Sequence, residues 1–192
     1  MMLVFAAVIC GDSKQKPQIE IEEELFVRIG KGEKEAFCLL YQKTSNAVFS
    51  YALSLLQNRE DAEDAMQETF LKIRSAAHLY TAMGKPMAWI LTIARNVCMM
   101  KYRQQMHMSG IPVEEIKEKQ DFSQIEDRED RIVLETAFQV LSKQECQIIV
   151  LHAVSGMKHR EIGELLQEPL STVLSKYNRG IKKLRRQLEE RL

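Results

Sequence analysis

The sequence predicts an all-α protein: two small helical domains joined by a flexible linker, the second ending in a helix-turn-helix. Three observations carry this. Four prolines and eight glycines in 192 residues are few breakers, and with 45% hydrophobic residues and little β-branched alternation the composition favours packed helices. Residues Val113 to Asp130 hold eight acids against Lys117, Lys119 and Arg128 with little helical period, behind Gly110 and Pro112, which reads as a linker. Lys158 to Leu188 gives a short helical run, His159 to Leu166, a turn containing Pro169, and a longer run from Ser171-Thr172. The expected organisation is an extension over 1–20, a first domain over 21–107, a linker over 108–129 and a second domain over 130–192.

In the first domain, Ile21 to Ile29 is a short amphipathic run closed by Gly30 and Gly32. From Glu33 to Gln57, Ala36, Phe37, Leu40, Tyr41, Val48, Ala52 and Leu55 recur at helical spacing and are expected in the core. Thr44-Ser45-Asn46 is expected to weaken or break that helix. Asn58 reads as an N-cap with Asp61 three residues on. In the run that follows, Ala62, Ala65, Thr69 and Ile73 line an inward face, and Asp61, Asp64 and Glu68 share an outward acidic one. The helix dipole accounts for acids in the first turns, Asp61 and Asp64, whereas Glu68 lies too far along. After Leu79-Tyr80, the loop TAMGKP leads to Pro86, a favoured first helical residue. In the next helix Trp89, Ile93 and Val97 are expected inward, with Asn96 and Arg103 at another angle.

In the second domain, from near Asp130, the helix LSKQECQIIVLHAVSG opens with a capping box from Ser142 to Glu145 and closes at Gly156. In the last helix Val173, Tyr177, Ile181, Leu184 and Leu188 form an apolar stripe, while Thr172, Ser175, Lys176, Arg179 and Lys183 fall elsewhere. Seven Lys/Arg stand against Glu189 and Glu190 between Lys176 and Arg191. A helix, a tight turn and a basic helix with hydroxyls near its start is a form that enters a major groove. The same spacing also serves an ordinary helical bundle with a solvated basic face.

Formal net charge is zero, so any attraction to nucleic acid comes from the asymmetry between an acidic middle and a basic end. Cys10, Cys38, Cys98 and Cys146 are widely spaced and read as reduced, buried thiols. MMLVFAAVIC lacks a basic n-region and is too short to span a bilayer, so it is expected to be a poorly ordered or loosely docked extension of a soluble, cytoplasmic protein. His78, His107, His152 and His159 form no close pair by spacing, and no nucleophile constellation or phosphate loop is present. No catalytic residue, metal site or cofactor is therefore expected.

NREDAEDAMQETFLKI and WILTIARN in the first half, with LSKQE, EIGELL and PLSTVLSK in the second, resemble the sigma-70 family of RNA polymerase sigma factors, in its extracytoplasmic-function (ECF) group. The likeness covers roughly residues 22 to 188. It implies a protein that directs RNA polymerase to promoters, with core polymerase (the largest-subunit coiled coil and the flap) and promoter DNA as partners, an anti-sigma factor as regulator, and no membrane insertion.

The resemblance places core-polymerase binding on Asp61, Asp64, Gln67 and Glu68. It makes Tyr80 to Met87 the loop that captures a base flipped from the −10 element, with Tyr80, Lys85, Trp89, Asn96, Lys101 and Arg103 along that DNA. It sets Ser171, Thr172, Ser175, Lys176, Arg179 and Lys183 at the −35 element. An acidic linker suits both a thread through a basic polymerase channel and a plain spacer. Three positions depart from the family pattern: Met100 replaces a usual Asp, Leu174 a frequently basic residue, and Gln167 a common Gly in the turn. The alternatives are a stand-alone helix-turn-helix regulator, which leaves the first domain idle, and a module that sequesters another factor.

Overall fold

The computed structural model describes residues 19–109 and 140–189, and side chains within 19–104 and 140–187. The expected extension, the acidic linker, Cys10 and the side chains of His107 and Leu188 lie outside these residues. The described residues form two compact units with helices and no strand.

The front unit contains α1 (Glu24–Gly30), α2 (Lys34–Leu56), α3 (Arg59–Ala76), a single 3-10 turn (Ala77–Leu79) and α4 (Pro86–Ser109). Such helices are marginal alone and gain their stability by burying one face. Here the buried set is Leu25, Phe26 and Ile29 from α1, Leu40, Val48 and Tyr51 from α2, Phe70 and Ile73 from α3, and Ile90, Leu91 and Val97 from α4. Ala47, Ala52, Ala62, Ala65 and Ala94, all buried, let the axes approach closely. The α2–α3 connection is two residues long. Gln57 adopts a left-handed conformation (φ 56°) and its N–H donates to the Leu53 carbonyl, while Asn58 Oδ1 accepts from Asp61 N at 3.0 Å.

Four expectations change in this unit. α2 is unbroken through Thr44-Ser45-Asn46. The buried Thr44 hydroxyl donates to the Leu40 carbonyl one turn back (2.7 Å), so it supports the helix instead of competing with it. Tyr41 is exposed and Phe37 and Leu55 are half-buried, because α2 turns those positions past the edge of its buried face; Tyr41 instead tilts over Phe70. On α4 the inward stripe is Met87, Ile90, Leu91, Ala94, Val97 and Cys98, leaving Trp89 and Ile93 half-buried at its margin. Burial pushes the Cys98 and Cys146 thiols up to about 12, consistent with inert core residues. Cys38 is the exception and is exposed, since α2 shows that side to solvent.

The back unit contains α5 (Lys143–Ala153), α6 (His159–Leu166) and α7 (Leu170–Glu189). Ser142 and Glu145 make both halves of the predicted capping box. Cys146, Ile148, Ile149, Leu151, Ile162, Val173, Ile181 and Leu184 are buried, and Tyr177 is half-buried beside them. α7 begins one residue earlier than predicted, because the Pro169 carbonyl already accepts from Thr172 and Val173 (3.0 and 3.1 Å). The histidine reading is corrected too. The turn at Gly156 brings His159 back over His152 with ring centroids 4.2 Å apart, and Tyr177 meets both rings edge-on. His152 Nδ1 lies 2.8 Å from the Met157 carbonyl oxygen, so the pair belongs to the packing of the unit.

The α6–α7 turn redistributes its glycine. Gln167 takes the left-handed cap (φ 59°), while a Cβ on Gly163 would stand 2.8 Å from the Glu168 carbonyl oxygen. The turn therefore needs glycine at 163 for room and tolerates a side chain at 167 at a cost of about 1–2 kcal/mol. Gly163→Ala is expected to destabilise the unit by about 1–3 kcal/mol. Gln167→Gly is expected to stabilise it by up to about 1 kcal/mol, since glycine's own chain-entropy cost offsets part of the relief. Chemical denaturation of the full chain, followed by circular dichroism, checks both signs.

Candidate nucleic-acid interface

On α7, Ser171, Leu174, Ser175, Asn178, Arg179, Lys182, Arg185 and Arg186 are exposed, and Thr172 is half-buried. The structure brings the predicted groove residues Ser171, Ser175 and Arg179 to one exposed side. It treats the other cations differently. Lys176 Nζ donates to both carboxylate oxygens of Glu168 (2.6 and 2.7 Å). Lys183 Nζ donates to Glu145 Oε2 at 2.7 Å, and Arg179 Nε pairs with Glu145 Oε1 at 3.1 Å. Arg179 nonetheless stays 61% exposed, so its guanidinium remains accessible from outside, whereas the Glu145 side chain is 3% exposed.

Glu145 thus caps α5 and holds α7. Burial pushes its carboxyl upward, but Lys183 and the Ser142 backbone and hydroxyl donors outweigh burial and leave it below the ordinary carboxylate value. Gly180 completes the contact: its Cα face meets Ile149 so closely that a Cβ would stand 2.7 Å from Ile149 Cδ1. The sequence offered the capping role of Glu145 but no signal for the second, since 34 residues separate it from Arg179.

In the front unit Asp64 and Gln67 are exposed, and Asp61 and Glu68 are half-buried on the same helix. Leu71, 64% exposed, continues the face one turn beyond Gln67. Lys101 reaches across from α4 to Asp64 (3.3 Å), so the predicted acidic face and the predicted −10 track touch at that ion pair; Glu68 pairs with Lys72 at 3.2 Å. Asn96 and Arg103 are exposed on α4, and Lys85 is exposed in the loop before it.

Tyr80 and Trp89 sit lower than a free stacking platform would. Tyr80 stacks on buried Phe26 at 4.1 Å between centroids, and Trp89 meets both rings edge-on at 5.2 and 5.3 Å. The Tyr80 hydroxyl donates to Glu23, and burial together with that bond pushes the phenol up, keeping it protonated. Glu23 is a residue that local periodicity does not single out. Among the described residues no group of three His, Cys, Asp or Glu could hold a metal ion, and no helix is long and apolar enough to cross a membrane.

Two helical units, one carrying a helix-turn-helix with a basic second helix, define an all-α protein of the helix-turn-helix class. The model of sigma-70 region 2 matches residues 40–107, and that of sigma-70 region 4 matches residues 131–184. The chain is 26% identical over 173 residues to the ECF RNA polymerase sigma factor SigK of Mycobacterium ulcerans, covering 86% of this chain and 92% of that one. It is 22% identical over 166 residues to SigX of Bacillus subtilis, covering 81% and 85%. The fold is similar to that of CnrH, solved with the cytosolic domain of CnrY (TM-score 0.62, 20% identity, 88% of this chain and 97% of that one). It is similar likewise to RpoE of Bartonella quintana, solved with the anti-sigma factor NepR (TM-score 0.62, 22% identity, 80% and 96%). The chain belongs to the sigma-70 family, in its ECF group.

The Glu145 arrangement has a testable pH signature. A carboxyl lowered in the folded state adds stability that is full above its unfolded value, about 4.3, and is lost as pH falls through the lower folded value. Glu145→Gln is expected to lose about 1–3 kcal/mol at neutral pH. Its stability should also fall less steeply than wild type below pH 4.5 or so. Denaturation midpoints across pH 3 to 7 check both.

Proposed function

We propose that the chain is the promoter-specificity subunit of RNA polymerase. It docks on the core enzyme through the front unit and reads the −10 and −35 elements with the front and back units together. The observation that carries this is the presence on one chain of an exposed acidic helix face inside the region 2 match and a basic helix-turn-helix inside the region 4 match. A stand-alone regulator would use only the second.

In this reading Asp64 and Gln67, with Glu68 and Asp61 beside them, meet a basic surface of the polymerase largest subunit. The loop around Tyr80 receives a flipped base, and Asn96, Lys101 and Arg103 follow the melted strand. Ser171, Thr172 and Ser175 reach base edges in the −35 groove, while Lys176, Arg179 and Lys183 stand at phosphates, their stems already oriented by Glu168 and Glu145. Orienting a long side chain beforehand lowers the entropy lost on binding. Because the units are covalently linked, the second promoter contact follows the first at high effective concentration. Bond formation is left to the polymerase, and the role needs no catalytic group of the chain's own. RpoE's partnership with an anti-sigma factor extends to this chain as the form of control we expect.

Reconstitution with core polymerase tests the whole reading: promoter-dependent transcripts should appear only when the chain is added. Binding to duplex DNA alone, with neither transcript nor affinity for core enzyme, would instead identify a stand-alone regulator. Asp64→Lys with Glu68→Lys is expected to weaken core binding by about tenfold or more through like-charge contact, with helicity unchanged. Fluorescence titration against core polymerase gives the number, and wild-type affinity would remove the assignment. Arg179→Ala is expected to lower −35 binding and reduce its salt slope by about one. An unchanged slope would place Arg179 away from phosphate.

A further inference from the structure

The loop between the 3-10 turn and α4 has no regular structure of its own. Thr81, Ala82, Met83, Gly84 and Lys85 are all exposed, Met83 to 72%. Gly84 lies at φ 70° with nothing within 4 Å of where a Cβ would be. An exposed segment of this kind ordinarily samples many conformations unless it is anchored.

A carboxylate from outside the segment gathers its donors. Glu23 Oε1 accepts from the Tyr80 hydroxyl, from Gly84 N at 2.8 Å and from Met83 N at 3.2 Å. Glu23 stands at the N-terminal boundary of α1, some 60 residues earlier in the chain, and Phe26 from the next turn stacks on the Tyr80 ring. One short helix therefore grips the loop by a carboxylate and by a ring.

We propose that Glu23 is the positioning residue of the base-capture loop and sets how strictly one −10 base is read. This rests on the reading of the Tyr80 loop as the one that receives a flipped base. Two consequences follow from the geometry. Consecutive backbone N–H groups such as those of Met83 and Gly84 attract anions, and in an unanchored loop they would draw a DNA phosphate. Glu23 occupies them, so backbone contact there is denied to phosphate and the loop meets DNA through Thr81, the Met83 side chain, Lys85 and its carbonyls. The loop is also ordered before the base arrives, so less conformational freedom is lost on capture and a misfitting base finds no alternative loop shape. The three donors hold the Glu23 carboxyl below its ordinary value, the Tyr80 hydroxyl foremost, so the anchor stays ionised in neutral solution.

The test uses full-length chain in holoenzyme on promoters with the −10 element randomised, scored by transcript sequencing. Glu23→Ala should flatten the preference at one −10 position by about tenfold, the loss expected for a charge-assisted anchor. Preference at the remaining −10 positions, preference in the −35 element and affinity for core enzyme should stay at wild-type values. Glu23→Gln keeps one acceptor oxygen and should retain most of the preference, and Tyr80→Phe, which removes one donor, should fall between. A wild-type profile in Glu23→Ala, or an equal loss across both elements and core affinity, would overturn the inference. A wild-type holoenzyme that fires but shows no single-base preference in the −10 element would overturn the base-capture reading itself, and the inference with it.

Discussion

In both units a carboxylate stands behind the groups assigned to DNA, and that arrangement governs the rest. Glu145, 3% exposed, could not be buried alone; desolvating a lone carboxylate costs far more than any single contact returns. Arg179 and Lys183 make its burial tolerable, and in exchange α7 is fixed in rotation about its axis. Glu23 does the same for a loop, with two backbone amides and a phenol in place of ammonium and guanidinium groups. In a chain with no net charge, internal acids thus hold Arg179, Lys183 and the loop donors in place.

Arg179 is 61% exposed but its partner Glu145 is 3% exposed, so this is not a surface ion pair, and drawing Arg179 away would leave Glu145 to Lys183 and the Ser142 amide. Lys176 differs: both Glu168 oxygens hold it and its side chain is 15% exposed. It fixes the turn to the helix more firmly than Arg179 fixes α5 to α7. Such differences arrange the basic residues of α7 in an order of availability that their identities alone do not express. The Lys101–Asp64 pair extends the principle to the front unit, where a residue assigned to DNA and one assigned to polymerase share a contact.

How much of this the sequence reveals depends on the range of the contact. The Asn58 cap, the Ser142–Glu145 box, the Pro86 helix start and the Ala62, Ala65, Thr69, Ile73 face were legible because each lies within one or two turns. The left-handed Gln167 was legible as a departure from glycine. Thr44 misled because a hydroxyl's preference for a local carbonyl can either break a helix or bond back along it, and burial decided for the second. The His152–His159 stack, the Glu145 grip on Arg179 and Lys183 and the Glu23 anchor of Tyr80 were invisible to local periodicity. In each, the partners are joined by turns whose course follows from packing, not from residue spacing.

Precision at the start of α7 comes from elements that carry no charge. Base-edge discrimination requires hydroxyls placed to within a fraction of an ångström, which a helix tethered only by flexible ion pairs would not provide. Two glycines supply what ion pairs cannot. Gly180 lets α7 lie against Ile149 with no side chain between, and Gly163 lets the turn carbonyl of Glu168 close directly over α6. These two close approaches set how near α7 and its turn lie to the rest of the unit, and Val173, Ile181 and Leu184 fill the remaining space on the buried side of α7. Ser171 and Ser175 project from the first turns of a helix so fixed. The acids then set charge and rotation, while the glycines set distance.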